Sequence, residues 1–560
     1  MLTYLLSTKK MIIQALFFFT IITIIAPLFG KYIAFVYRYE YAEHEQLKNK
    51  RARWESQNWQ DYFLTLMYFN IICMISTFLI IYYQDFFPFL TKATEKISFS
   101  SALNASVSFV TGTFWQSHNP EKELSMLSHI FALTAQNFLS GATGIAVFIA
   151  FIRGIINSHN PFIGNFYDDF LRALLFILLP FSLFAAITLI SFGMPHDFMG
   201  TFSFTNIDGI GEQMYLGPIA GQVAIKNLVA NGGSLFASAS AHPFEAPSRE
   251  AVMFCLILVI TLPVAMIFTY GFLLGSLRLS WALYCVVVLV MITSLFVINL
   301  GETSYGLPYI FGDNTLTDNF NYIGKELIYD KFPSLMWALS ITMSSDGSPN
   351  ACLENYSPLS TLVLFSNLII SKFIIEGVGS GFFAMLSYLM VAVFLRGLIT
   401  GEAANFFGKR IALNEINYVI IVFLVMPAGV LLFTAITLLI PSSQNLITHH
   451  GSQAVTDITY NFASCFANNG SSFTGINTAT DYFNYMTALA MFIGRYPIIY
   501  FSLAISGSFA AKQRLSTQIV KHTQSSIELS LFLLITVILV GAIMFLPLMI
   551  LGPLLEFITM

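Results

Sequence analysis

Ten runs of roughly 20 predominantly apolar residues recur along the chain, at Met11–Gly30, Tyr62–Tyr83, Ile130–Ile152, Ala173–Phe192, Ala251–Leu274, Trp281–Leu300, Phe373–Leu395, Asn417–Ile440, Phe483–Ala504 and Leu529–Leu551. About 20 helical residues cross a hydrocarbon core of ~30 Å. The pattern therefore predicts an all-α polytopic membrane protein with ten transmembrane helices. Four of the intervening segments break this rhythm in the same way. A moderately apolar stretch runs into Gly, Ser, Thr and Asn before the next span begins. These passages are "SVSFVTGTFWQS" (Ser106–Ser117), "IKNLVANGGSLFAS" (Ile225–Ser238), "ALSITMSSDGSPN" (Ala338–Asn350) and "SCFANNGSSFTGIN" (Ser464–Asn477). Their central glycines, Gly112, Gly232, Gly347 and Gly470, are separated by 120, 115 and 123 residues. Such spacing marks an internal repeat.

Each repeat reads as span, half-length helix, polar loop, span. The expected units are 62–152, 173–274, 281–395 and 417–504, with 1–61 contributing a first helix and a cytoplasmic loop and 529–560 a last helix with an outside C-terminus. Non-helical backbone at membrane depth is tolerated only where it is buried in protein or lines a wet cavity. A Gly-rich turn lets successive carbonyl oxygens face one axis, and Ser, Thr and Asn add further oxygens. A half-helix that precedes such a turn aims its partially negative C-terminal end at the membrane centre, where it favours a cation. Four such loops predict a pseudo-fourfold ring around a dehydrated cation.

Composition agrees with the membrane assignment, since 56% of the 560 residues are hydrophobic and only 10% charged, with a mean hydropathy of +0.72. The net charge of -4 and the lack of a basic run argue against a nucleic-acid partner. Lys31, Arg38, Lys48, Lys50, Arg51 and Arg53 follow the first span, which predicts a cytoplasmic Lys31–Asp61 and an outside N-terminus. Alternation from there puts 15 Lys and Arg inside and 9 outside, embeds Lys372 and Arg495, and leaves both termini outside. The first span has no small-x-small cleavage site and reads as an uncleaved helix. The five cysteines lack metal-ligand spacing and read as packing residues. The longest cytoplasmic stretch, Lys31–Asp61, cannot form a nucleotide domain, and no Walker lysine motif or "DKTG" passage is present. ATP hydrolysis is therefore not expected of this chain. A multi-span transferase would need converging acidic or histidine groups rather than repeated glycine loops.

The passages "NASVSFVTGTFWQSHNPE", "AIKNLVANGGSLFASASAHPFEAP", "EGVGSGFF", "ANNGSSFTGIN" and "GRYPII" resemble the potassium-binding subunit of the bacterial Kdp-type potassium-transporting ATPase. The likeness runs from about Asn104 to the C-terminus. It implies the potassium-transporter superfamily of four membrane-pore-membrane repeats, in the bacterial cytoplasmic (inner) membrane. It also implies a P-type ATPase catalytic partner, small accessory membrane subunits, potassium as substrate, and no cofactor. Potassium would enter from outside through a filter and reach the partner by an intramembrane tunnel. Carried over by position, the filter would be Thr111, Gly112 and Thr113; Asn231, Gly232, Gly233 and Ser234; Ser345, Asp346 and Gly347; and Asn468, Asn469 and Gly470, with Gln116 beside it. A stand-alone Trk- or Ktr-like potassium channel or transporter is the alternative expectation. Such proteins share the repeat but lack the "HPFE" passage.

This chain departs from the family pattern at several places. Gly112 stands where the family has Asn, and Asp346 where it has Cys. Ser371 and Lys372 replace a Gly-Glu pair, with Glu376 four residues after Lys372, and "GEAANF" carries Glu402 in place of an arginine. Lys372 and Glu376, four residues apart, are expected to share one helix face, as a neutralised pair or as a gate or barrier below the filter. Arg495, within the ninth span, is expected to face the pore or a carboxylate and is a second barrier candidate. Asp346 either places a negative charge at the cation site or caps its loop and points away. "GVGSG" (Gly377–Gly381) is expected to bend a helix, admit a close neighbour or loosen the third loop, not to bind nucleotide. His242 is expected to stabilise the "AHPFEAP" turn, and His449 and His450 lack a ligand at metal spacing.

Overall fold

The computed structural model describes residues 2–43, 55–87, 93–198, 200–205, 209, 211–304, 310–311, 314–315, 320–325, 330–375, 377, 381–401, 403–440, 447–449, 451–514 and 526–559. Among these, eight helices are long and apolar enough to cross a membrane: Lys9–Arg38, Trp59–Tyr82, Met126–Ile156, Phe166–Ser191, Arg249–Leu274, Leu277–Ser304, Leu413–Leu439 and Asp481–Ala511. Ser526–Leu551 supplies the last predicted span. Apolar composition explains the lipid-facing rim, since every backbone polar group in hydrocarbon must be satisfied within its own helix. Burial then separates rim from centre. In its most apolar window, Met126–Ile156 is 89% buried, against 22% for Lys9–Arg38.

The seventh span departs from expectation. In place of one helix over Phe373–Leu395, two helices occupy this region, Pro358–Ile374 and Gly381–Thr400. Three glycines within five residues weaken a helix by about 1 kcal/mol each relative to alanine. Packing supplies the second reason for the break. A Cβ on Gly377 would fall 2.5 Å from Ser345 Oγ and 2.7 Å from the Ala230 carbonyl oxygen, so this backbone lies directly against the second and third polar loops. Of the roles expected of this passage, Gly377 shows the close approach of a neighbour, between two separate helices. The helix that carries Lys372 runs to Ile374. Glu376, Glu402 and the Lys372 side chain lie outside the described residues.

Four shorter helices precede the polar loops: Phe99–Val110, Ile219–Val229, Lys331–Met343 and Ser452–Ala467, of 12, 11, 13 and 16 residues. At 1.5 Å per residue each covers roughly half of a bilayer or a little more. The first starts where Ser98 accepts a hydrogen bond from the Ser101 N–H, a helix N-cap. Between the fourth span and the second of these helices lies an antiparallel hairpin, Gly200–Thr205 with Gly211–Leu216, that apolar periodicity did not indicate. At the far end of the central spans, Lys409 Nζ donates to the carbonyls of Gly154 (3.1 Å), Asn157 and Phe509 (2.6 Å). It thereby satisfies helix-end carbonyls of Met126–Ile156 and Asp481–Ala511.

Candidate ion-binding site

The C-terminal ends of the four short helices converge, and the loops that follow touch one another in order. Loop one meets loop two through Gln116, whose Nε2 donates to the Ser234 carbonyl (3.0 Å) while its Oε1 accepts from the Ser234 N–H (2.9 Å). Loop two meets loop three at Gly232, where an added Cβ would lie 2.6 Å from the Gly347 nitrogen. Between loops three and four, a Cβ on Gly347 would overlap the Asn469 carbonyl oxygen. The circle closes where a Cβ on Gly470 would overlap the Thr113 carbonyl oxygen, and Asn468 Nδ2 donates to Thr113 Oγ1 (3.0 Å). Four segments separated by more than 100 residues in sequence thus form one ring of backbone. Glycine suits it for two reasons, because Gly232 and Gly470 have φ of 80° and 98° and because no side chain fits between the strands.

Each returning strand is also held by its own short helix, through a different residue type in each repeat. Ser108 Oγ donates to the Trp115 carbonyl (2.9 Å) and Gln222 Nε2 to the Gly233 carbonyl (3.0 Å). Trp337 Nε1 donates to the Ser348 carbonyl (2.9 Å), and Asn461 pairs reciprocally with the Phe473 backbone (3.2 and 2.9 Å). Fixed strands keep their carbonyls oriented without rearrangement when a ligand arrives. The sequence contains no common motif for these anchors, and none was anticipated. Lys226 and Glu245 were missed for another reason. Lys226 was counted as an outside charge, yet it is fully buried in an ion pair with Glu245, and Glu245 also accepts from Ser234 Oγ (2.5 Å). The Glu of "HPFE" therefore braces the second loop from behind.

All the residues assigned to the four loops, Thr111 to Thr113, Asn231 to Ser234, Ser345 to Gly347 and Asn468 to Gly470, fall in this ring. A Cβ added at Gly112 would make ordinary van der Waals contact with Asn231 Oδ1 and Ser140 Cβ, each at 3.7 Å, and with Arg495 Nη2 at 3.8 Å. Arg495 is thereby placed beside the first loop. Asp346 is fully buried; its Oδ1 accepts from the Ser348 N–H (3.1 Å), whereas Oδ2 has no hydrogen-bond partner among the described residues. His242 stacks on Phe236 at 3.7 Å and its Nδ1 accepts from the Phe244 N–H, within the turn it was expected to stabilise. His449 pairs with Asp457 (2.7 Å). That carboxylate, through its hydrogen bond, holds the His449 pKa above the ordinary histidine value.

The sequence profile described as "Potassium-transporting ATPase A subunit" matches residues 16–558. The chain belongs to the potassium-transporting ATPase A subunit family. Curated relatives in this family include the potassium-transporting ATPase potassium-binding subunit of Leptospira interrogans, 35% identical over 552 residues that cover 97% of each chain. The Pseudomonas fluorescens protein of the same name is 36% identical over 511 residues, 90% of this chain and 89% of its own. Among solved structures, the potassium transporter TrkH of Vibrio parahaemolyticus superposes with a TM-score of 0.53 at 15% identity, over 88% of this chain and 96% of that one. At that identity the likeness concerns the fold. A multi-pass membrane protein with the A-subunit family's architecture accounts for both findings.

Proposed function

We propose that this chain is the potassium-binding and translocating subunit of an ATP-driven potassium uptake complex, and that the ring of four loops is its selectivity filter. The contact of each loop with the next supports this reading most directly, because it turns four glycine-rich passages into a single enclosure of backbone carbonyls. Four helix C-termini face that enclosure, and each carries a partial negative charge that favours a cation. Buried carbonyl and amide oxygens replace the hydration shell, and Arg495 beside the first loop opposes the uncontrolled passage of cations.

In this reading potassium is cargo, no organic cofactor takes part, and hydrolysis resides on a P-type ATPase partner accompanied by small accessory membrane subunits. The complex sits in the bacterial inner membrane with the loops open to the outside and both termini of this chain extracytoplasmic. The test compares the purified chain with the co-expressed complex. The chain alone should hydrolyse no ATP, whereas the complex should show hydrolysis stimulated by potassium. Hydrolysis indifferent to potassium would overturn the assignment, and potassium conductance by the chain alone in vesicles would favour a stand-alone channel.

A further inference from the structure

The charges behind the second and third loops do not balance. Lys226 and Glu245 form one ion pair, both side chains fully buried, and Ser240 and Ser234 complete its hydrogen bonds. Asp346, equally buried, lies within electrostatic reach of both groups. The only hydrogen bond of its carboxylate among the described residues is accepted by Oδ1 from the Ser348 N–H. Oδ1 also sits against the second loop, 3.2 Å from where a Cβ on Gly232 would lie. Oδ2 is buried without a partner. A buried carboxylate oxygen left unbonded costs free energy unless a positive charge offsets it or the group takes up a proton. Among the described residues the cationic group that acts on Asp346 is Lys226, already paired with Glu245, and a cation held in the ring would supply the remaining charge.

We propose that Asp346 is an affinity- and selectivity-setting residue whose carboxylate supplies the enclosure with one net negative charge between loops two and three. This rests on the filter reading above. A full negative charge attracts a cation more strongly than carbonyl dipoles do, and it gains more from a small ion than from a large one. The site therefore binds monovalent cations tightly while discriminating less sharply between potassium and sodium than a ring of carbonyls alone.

The decisive variant is Asp346→Asn, which keeps the Oδ1 acceptor for Ser348 and removes the charge. Potassium- and sodium-stimulated ATPase rates of the intact complex would be measured across concentration. We expect the half-maximal potassium concentration to rise about tenfold, equivalent to about 1.4 kcal/mol, with the rate at saturating potassium retained. Sodium should weaken by a larger factor, so that preference for potassium increases. A loop merely loosened by the substitution would lose affinity and preference together, and that result would overturn the proposal. Asp346→Ala separates the two roles further, because it removes both the charge and the Ser348 contact. Unchanged potassium affinity in Asp346→Asn, with a defect only in Asp346→Ala, would identify a loop cap and overturn the proposal as well. If the unmodified complex itself shows no potassium stimulation, the filter reading fails first, and the two failures are distinguishable.

Discussion

Loops two and four end their helices by their own backbone, whereas loop three depends on its neighbour. Ala230 and Asn468 adopt left-handed conformations (φ 51°, ψ 48° and φ 54°, ψ 41°) and turn their N–H groups back onto the last helical carbonyls. Ser344 leaves the third helix in an extended conformation. Two carbonyls at that end, of Ile341 and Ser344, are instead satisfied by Asn469 Nδ2 from loop four, at 2.6 and 2.8 Å. The same repeat holds the broken span, with Gly377 against Ser345, and the buried Asp346. Several departures from fourfold symmetry thus fall in this one quadrant. A ring can keep its shape when loops two and four terminate their own helices and loop three is held from outside, and the held part is where chemistry and movement can differ.

The largest effect should come from breaking the contact that closes the ring. Gly470→Ala adds a methyl at φ 98° that also overlaps the Thr113 carbonyl, and the left-handed region alone costs about 1–2 kcal/mol for a residue with a Cβ. Apparent potassium affinity in ATPase assays should fall at least a hundredfold, equivalent to about 2.8 kcal/mol. Gly347→Ala lacks the positive φ but would overlap the Asn469 carbonyl oxygen and the Gly470 Cα and carbonyl carbon, all backbone atoms, so its loss should be comparable. Equal affinities for Gly470→Ala and the unmodified chain would show that loops four and one need not touch.

The repeat spacing and most spans were legible in the sequence because a bilayer imposes length and apolarity on any crossing helix. Glycines marked the loops because close backbone approach excludes other residues. What periodicity could not carry was pairing across more than 100 residues. Asn469 looks like one more polar loop residue until its side chain is seen on the Ile341 and Ser344 carbonyls. Buried charge misled in another way. Lys226 and Lys325 entered the outside tally, yet each is buried against a carboxylate, Glu245 and Glu302, and neither bears on orientation. The break in the seventh span was hidden by apolar residues on both sides, so that hydropathy read one continuous run.

An intermediate effect is expected where loop three borrows its cap. Asn469→Ala deletes both donors and leaves the Ile341 and Ser344 carbonyls buried without that partner. An unmet buried polar group costs about 1–3 kcal/mol. Potassium affinity should drop roughly tenfold to thirtyfold and the midpoint of thermal inactivation should fall. If affinity is preserved, the third helix end is stable without its neighbour and the asymmetry described above carries no functional weight.

The smallest effect tests the self-terminating loops. Ala230 holds its left-handed conformation at a cost of about 1–2 kcal/mol, which Ala230→Gly removes. The same substitution deletes a buried methyl worth about 0.8 kcal/mol and frees the unfolded backbone by a further 0.4–1 kcal/mol. These contributions nearly cancel. The midpoint of thermal inactivation should therefore move by less than about 3 °C, and potassium affinity should stay within twofold. A drop well beyond that would mean the methyl is gripped by its surroundings, including the Gly377 backbone packed on the Ala230 carbonyl, and that loop two is held from outside just as loop three is.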